Sequence, residues 1–172
     1  EAPETLDRDQ RLVGAQPASR TVIVAYDDIF SVKYHGRNLP PYWRSTGSEA
    51  EDMLQSAWKE YPELKARCAR FDNELVADLV RVGGPRYAAL AALAYRQVFG
   101  GCKIAATPDG APLMFCKENS SNGCASTVDV IYPMSPFFLL LNPEMLRLQL
   151  MPLLEYASSG KWKYPFAPHD LG

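Results

Sequence analysis

Two glycines followed by a proline, Gly83-Gly84-Pro85, divide a long run of helical patterning into two arms, and this punctuation constrains the fold most. Upstream, Met53, Leu54, Ala57, Trp58 and Tyr61 share one helical face. Leu64, Cys68, Phe71, Leu75 and Leu79 continue it at spacings of three and four. Ser48-Glu49-Ala50-Glu51 reads as a capping box, with Ser48 as cap. Pro62 breaks or kinks the run unless it opens a new helix. Downstream, PRYAALAALAYRQVF is rich enough in alanine and leucine to predict a largely buried helix ending at Gly100-Gly101. Two helices joined by so tight a turn form an α-hairpin.

The remaining elements are shorter. Residues 1–20 carry little apolar signal and read as an N-terminal arm. Residues 21–34, rich in β-branched and aromatic side chains, favour strand with a bend at Asp27-Asp28. HGRNLPPYW reads as a loop holding Tyr42 and Trp43. KIAAT and APLMFC flank Pro-Asp-Gly as a β-hairpin, in a register that sets Cys102 opposite Cys116. Those two are a disulfide if the protein is exported, or two buried free thiols otherwise. FFLLL follows Ser135-Pro136, and Asn142-Pro143 opens a helix with Leu146, Leu150, Leu153 and Leu154 inward, bent at Pro152 and closed by Ser158-Ser159-Gly160.

With 172 residues, 47% of them hydrophobic, the chain can bury a core. Eighteen basic and 20 acidic residues leave a net charge of −2, without the basic footprint of a nucleic-acid binder. No apolar run approaches the ~20 residues that span a bilayer. Four dispersed cysteines and two histidines give no metal-ligand spacing, so no metal site and no cofactor is expected. The N-terminus lacks a signal-peptide pattern, and the C-terminus breaks off in a polar, aromatic run, which together suggest part of a larger protein.

Chemistry concentrates in KENSSNGCASTVDVIYPMSP, residues 117–136, a polar stretch between ordered elements where binding groups are often found. Carboxylate pairs can activate water and protonate a leaving group. The candidates are Asp129, Glu118 and Asp28 as catalytic acids, with Asp27, Asn119, Asn122, Tyr42, Trp43, His169 and Asp170 as substrate contacts. Asp129, framed by Val128 and Val130, is expected to be partly buried, and crowding of acids on one rim is expected to raise at least one carboxyl pKa. Structural readings stand beside each: loop capping for Asp27 and Asp28, a buried paired acid for Asp129, packing for the aromatics. Cys124 is a weaker nucleophile candidate, since no histidine is near it in sequence.

The segments AYDDIFSVKYHG, PYW, ALAYRQ, KENSSNG, TVDVIYP, NPEML, SGKW and PFAPHDLG, in this order over residues 22–172, resemble the central domain of the glutaminase A family. The resemblance implies a mainly α fold, an α-hairpin array like part of an (α/α)6 six-hairpin toroid, with 21–172 as one helical-hairpin domain belonging to a larger one. It further implies L-glutamine amidohydrolase activity, an extracellular or periplasmic location and neighbouring domains of the same protein as partners. A carbohydrate-active hydrolase or binder, acting on a sugar, and a non-catalytic structural module are the other readings. An apolar face left uncovered on the hairpins would promote homo-oligomers.

Overall fold

The computed structural model describes residues 21–118 and 122–172, so the N-terminal arm and Asn119 lie outside the described residues. The order is β1 (Val32–Tyr34), β2 (Arg37–Leu39), a 3-10 turn (Tyr42–Thr46), α1 (Ala50–Gly100), β3 (Cys102–Ala106), β4 (Pro112–Cys116), α2 (Val128–Leu141) and α3 (Pro143–Ser158). The chain is mainly helical, as the sequence implied.

α1 continues through Pro62 with helical dihedrals and leaves helical geometry only at Gly84, whose φ of 78° and ψ of 176° suit glycine alone. There it folds into two arms. Phe71 and Tyr95 face each other across them at 6.0 Å, and Arg96 reaches Asp72 at 2.7 Å. The cap is one residue later than expected. Glu49 accepts from the backbone amide of Asp52, whose carboxylate accepts in return from the Glu49 amide, so the box is Glu49/Asp52. The second arm is not buried as its composition suggested. Of α1, only Ala88 and Ala91 are buried, while Leu90 is 69% exposed and Leu93 54%.

The core lies instead on the β3–β4 hairpin. The register pairs Cys102 with Cys116 and Ala106 with Pro112, and Gly110 takes the left-handed turn position at φ 84°. Strand side chains alternate faces, and β4 buries both of its faces. Met114 and Cys116 join Ile131, Met134, Phe138, Leu146, Leu148 and Leu153 from α2 and α3. Leu113 and Phe115 point the other way, against Leu39 and Ala105. The buried face of α3 is therefore Leu146, Leu148, Gln149 and Leu153, with Leu150 and Leu154 outward.

α2 begins inside the stretch read as a polar loop and carries Pro133 and Pro136 within it. Proline removes a donor and leaves a carbonyl one turn earlier short of a partner. Ser135 Oγ donates to the Ile131 carbonyl at 2.8 Å nearby, so side-chain bonding accompanies the lost ladder. Asn142 ends α2 and precedes Pro143, the first residue of α3. The strand expected over 21–34 shrinks to β1, which pairs with β2 through a His35-Gly36 turn, both residues at positive φ. A β-bridge between Pro41 and Ala105, and a bond from the Ala106 amide to the Pro40 carbonyl at 2.9 Å, tie this first hairpin to the second. Among the described residues no helix is long and apolar enough to cross a membrane.

Candidate functional site

Two polar constellations flank the core hairpin. The first grows from the turn before β1. Asp27 accepts from Arg44 at 2.5 Å and from the Ile29 amide at 3.0 Å, bonds that hold its carboxyl below the ordinary range. The turn forces Ile29, a β-branched residue, to a left-handed φ of 56°. Burial pushes Asp28 upward, but the ion pair with Lys103 on β3 and a bond from Ser31 Oγ at 3.1 Å outweigh it, so Asp28 also sits low. Trp43 stacks under the Arg44 guanidinium at 4.7 Å, and Tyr42 beside it is exposed. These acids are ionised and engaged by cations, not poised as proton donors.

The second constellation is built by the C-terminal run lying along residues 122–128. The Val128 amide donates to the His169 carbonyl at 2.8 Å and the Leu171 amide to the Ala125 carbonyl at 2.9 Å. These two bonds bring His169 and Asp170 beside the first turn of α2, where Asp129 stands. His169 Nδ1 lies 2.8 Å from Asp170 Oδ2, and Nε2 lies 3.5 Å from Asp129 Oδ1. The bond to Asp170 is the largest influence and raises the imidazole pKa; burial opposes it, and the charges of Asp129 and Asp170 add to the rise. Asp170 is lowered in turn, first by His169 and then by the Gly172 amide.

This geometry revises three expectations. Asp129 is not buried between its valines: helix α2 turns it outward, with its side chain 74% exposed. The carboxyl groups with altered pKa values here, Asp27, Asp28 and Asp170, are lowered rather than raised, because each meets a cation or an N–H donor instead of another acid. The imidazole of His169 is instead held toward its protonated form, chiefly by the bond to Asp170. Cys124 lies in the same cluster, but burial and then Asp170 push its thiol upward, the reverse of what a nucleophile needs.

Glu118 joins from the other strand of the loop. Its amide donates to the Cys124 carbonyl at 3.0 Å, and its charge adds to that felt by Cys124. The Asn122 carboxamide oxygen accepts from the Cys124 amide at 2.7 Å, a turn-forming bond. Glu118, Asn122 and Asp170 thus each adjoin Cys124, Asp129 is linked to Asp170 through His169, and Asp27 and Asp28 are bonded to a different set of partners. Ser126, between these groups, is held at φ 58° with its hydroxyl buried and without a hydrogen-bond partner, as is the hydroxyl of Thr127. Stored backbone strain and unsatisfied polar atoms of this kind gather at working sites.

Two cavities border the cluster. One, about 510 Å³, is walled by Asp129, Tyr132, Phe166 and His169. The other, about 260 Å³, has Phe115 as an apolar wall and Lys33, His35, Lys117, Tyr156 and Lys161 around it. The sequence reading missed this second set. Only the period-two pattern of VKYHGRNL around a two-residue turn could have signalled the hairpin that presents Lys33 and His35. Tyr34 anchors that hairpin, its hydroxyl donating to the Pro152 carbonyl at 2.9 Å and lying 3.0 Å from Glu155; burial, then Glu155, raises its pKa. Among the described residues no group of three or more His, Cys, Asp or Glu side chains is placed to hold a metal ion.

Residues 84–172, just over half of the chain, match the glutaminase A six helical-hairpin domain. The chain belongs to the glutaminase A family. The matched stretch begins at Gly84, where α1 folds back, and contains the whole of the His169 cluster. Residues 6–78 match a domain of unknown function, and that stretch holds Asp27 and Asp28. Glutaminase A of Aspergillus oryzae is 35% identical over 147 residues, covering 83% of this chain and 21% of the relative. A protein of Arthroderma benhamiae named "Probable glutaminase" is 37% identical over 134 residues, 78% of this chain and 15% of its own length. The chain therefore spans about a fifth or less of these relatives. No solved structure matches it.

Proposed function

We propose that this glutaminase-family chain takes part in hydrolysis of the side-chain amide of L-glutamine, with His169, Asp170 and Asp129 as its acid/base group. One observation carries the reading: an imidazole bonded to Asp170 and flanked by Asp129, beside a cleft, inside the stretch matched to the family. Amide hydrolysis needs a base to take a proton from water and an acid to protonate the departing ammonia. In the neutral ring, Nδ1–H donated to Asp170 leaves Nε2 free to accept that proton, with Asp129 bordering the same space. The imidazolium so formed is stabilised by both carboxylates and then protonates the leaving nitrogen.

Glu118 and Asn122 supply acceptors for the substrate's ammonium group. Asp28, Asp27 and Trp43 brace the neighbouring wall through Lys103, Ser31 and Arg44 rather than touch the reacting atoms, with Tyr42 exposed beside Trp43. Residues 21–172 act as one working unit in this proposal, held together by the Pro41–Ala105 bridge and the bond from Tyr34 to Pro152. An extracellular or periplasmic location belongs to the same proposal.

The test is ammonia release from L-glutamine by the purified protein containing this chain. His169→Ala is expected to lower kcat by a factor on the order of 10² to 10⁴ with the fold retained by circular dichroism. Release no faster than the blank, or a His169→Ala variant as fast as wild type, overturns the proposal. One observation favours a sugar instead: the exposed rings of Tyr164 and Phe166 stack at 5.5 Å and 21°, a platform suited to a pyranose face. Binding of a glycan by a protein inert toward glutamine would select that reading.

A further inference from the structure

Cys102 and Cys116 face each other directly at the open end of the β3–β4 hairpin. The Lys117 amide donates to the Gly101 carbonyl at 2.8 Å and the Thr107 amide to the Ala111 carbonyl at 2.9 Å. Hydrogen-bonded and non-hydrogen-bonded pairs alternate along an antiparallel ladder. These two bonds therefore assign Lys103/Phe115 and Ala105/Leu113 to hydrogen-bonded positions. Cys102/Cys116 falls in a non-hydrogen-bonded one, as does Ala106/Pro112, where proline has no amide to donate. Facing residues in that position stand about 4.5 Å apart at Cα with their side chains close, within the span a disulfide bridges without backbone movement. In the structure both thiols are free. The Cys102 S–H donates to Cys116, which holds the Cys116 thiol below its ordinary value and Cys102 above.

We infer that Cys102 and Cys116 are a disulfide-forming pair, oxidised by a low-molecular-weight disulfide such as oxidised glutathione. Cys116 borders a cleft of about 280 Å³ between the second arm of α1 and α2, lined also by Ala94, Gln97, Val130 and Met134. One thiol of the pair, as its thiolate, attacks one sulfur of the oxidant. The oxidant's S–S bond breaks, and its other half leaves as a thiolate that takes up a proton. The other cysteine then loses its proton to solvent and attacks the first, expelling the second glutathione, which is protonated in turn. Two protein thiols and one glutathione disulfide become one protein disulfide and two glutathione thiols. Cys68 is exposed on α1, and Cys124 is bonded to Asp170, so neither competes for this geometry. The bond fastens the root of the site loop, since Lys117 and Glu118 follow Cys116 directly and the Ser126 amide donates to the Cys116 carbonyl.

The test equilibrates the full-length protein with reduced and oxidised glutathione, followed by non-reducing peptide mapping. The expected result is one cross-link, Cys102 to Cys116, with Cys68 and Cys124 still reduced. Closing a 15-residue loop is also expected to raise the melting temperature by about 6–12 °C over the reduced form. Cys102→Ser should show no such cross-link and no oxidant-dependent shift. Both thiols remaining free in excess oxidised glutathione, or Cys116 bridging to Cys68 or Cys124, overturns the inference; neither reading depends on any variant folding.

Discussion

Truncation of Phe115 to alanine, set against the same operation on Leu90, measures where the stabilising core lies. Phe115 is 0% exposed and packs edge-to-face on Tyr34 at 5.4 Å, with Leu39, Ala105 and Leu113 around it. Removing a fully buried phenyl ring costs its transfer free energy plus a cavity, about 3–5 kcal/mol. For a chain of this size that corresponds to a fall in Tm of roughly 6–20 °C, at 2–4 °C per kcal/mol. Leu90 is 69% exposed. Only about a third of the ~1.5–3 kcal/mol of a buried leucine is at stake there, so Leu90→Ala is expected to cost about 0.5–1 kcal/mol and to open no cavity. Urea denaturation of both variants, followed by circular dichroism and tryptophan fluorescence with m-values compared, gives the two numbers. A Leu90→Ala loss equal to that of Phe115→Ala, or a Phe115→Ala loss under about 1 kcal/mol, refutes the assignment of the core to the β3–β4 hairpin.

His169 is expected to titrate with a midpoint above 6.5 in an NMR pH series, and Asp170→Asn should bring it down. Because the folded value is the higher one, the stabilising contact is complete below the unfolded pKa and is lost as pH rises through the folded one. An unshifted midpoint, insensitive to Asp170→Asn, would contradict the contact. Activity that depends on the neutral ring should rise over the same pH interval. Gly84→Ala meets no atom within 4 Å of the added carbon, so its cost is conformational alone, about 1–3 kcal/mol by urea melts. A stability equal to wild type would mean that the arms can meet at a different residue.

The helical hairpin, the β-hairpin register and the caps near Asn142 and Gly160 were legible because each rests on local chemistry: glycine at positive φ, proline at a helix start, a two-fold side-chain alternation. Burial was not legible. The alanine-leucine richness of the second arm of α1 predicts an interior helix, yet composition states only what a face could bury, not what covers it. Asp129 failed for a related reason. Its valine neighbours suggest an apolar frame in an extended chain, but in a helix they point about 100° to either side, leaving the carboxylate outward. His169-Asp170 was visible as a pair, whereas its meeting with Asp129 depends on backbone bonds to residues some forty positions earlier. The lysine-lined cavity draws on five separate stretches of chain and has no linear signature.

Those backbone bonds, Val128 to His169 and Leu171 to Ala125, set an order of events. They close a loop of more than forty residues, which costs more entropy than any turn in the chain and returns only two hydrogen bonds directly. The β-hairpin, α2 and α3 must already be packed before that closure becomes favourable. The His169 cluster is consequently incomplete until the segment that follows α3, through Leu171, has joined the packed β-hairpin, α2 and α3. A single proteolytic cut in the exposed turn at Ser159-Gly160 would free one side of the cluster from the other while leaving the core hairpin and its two helices in place.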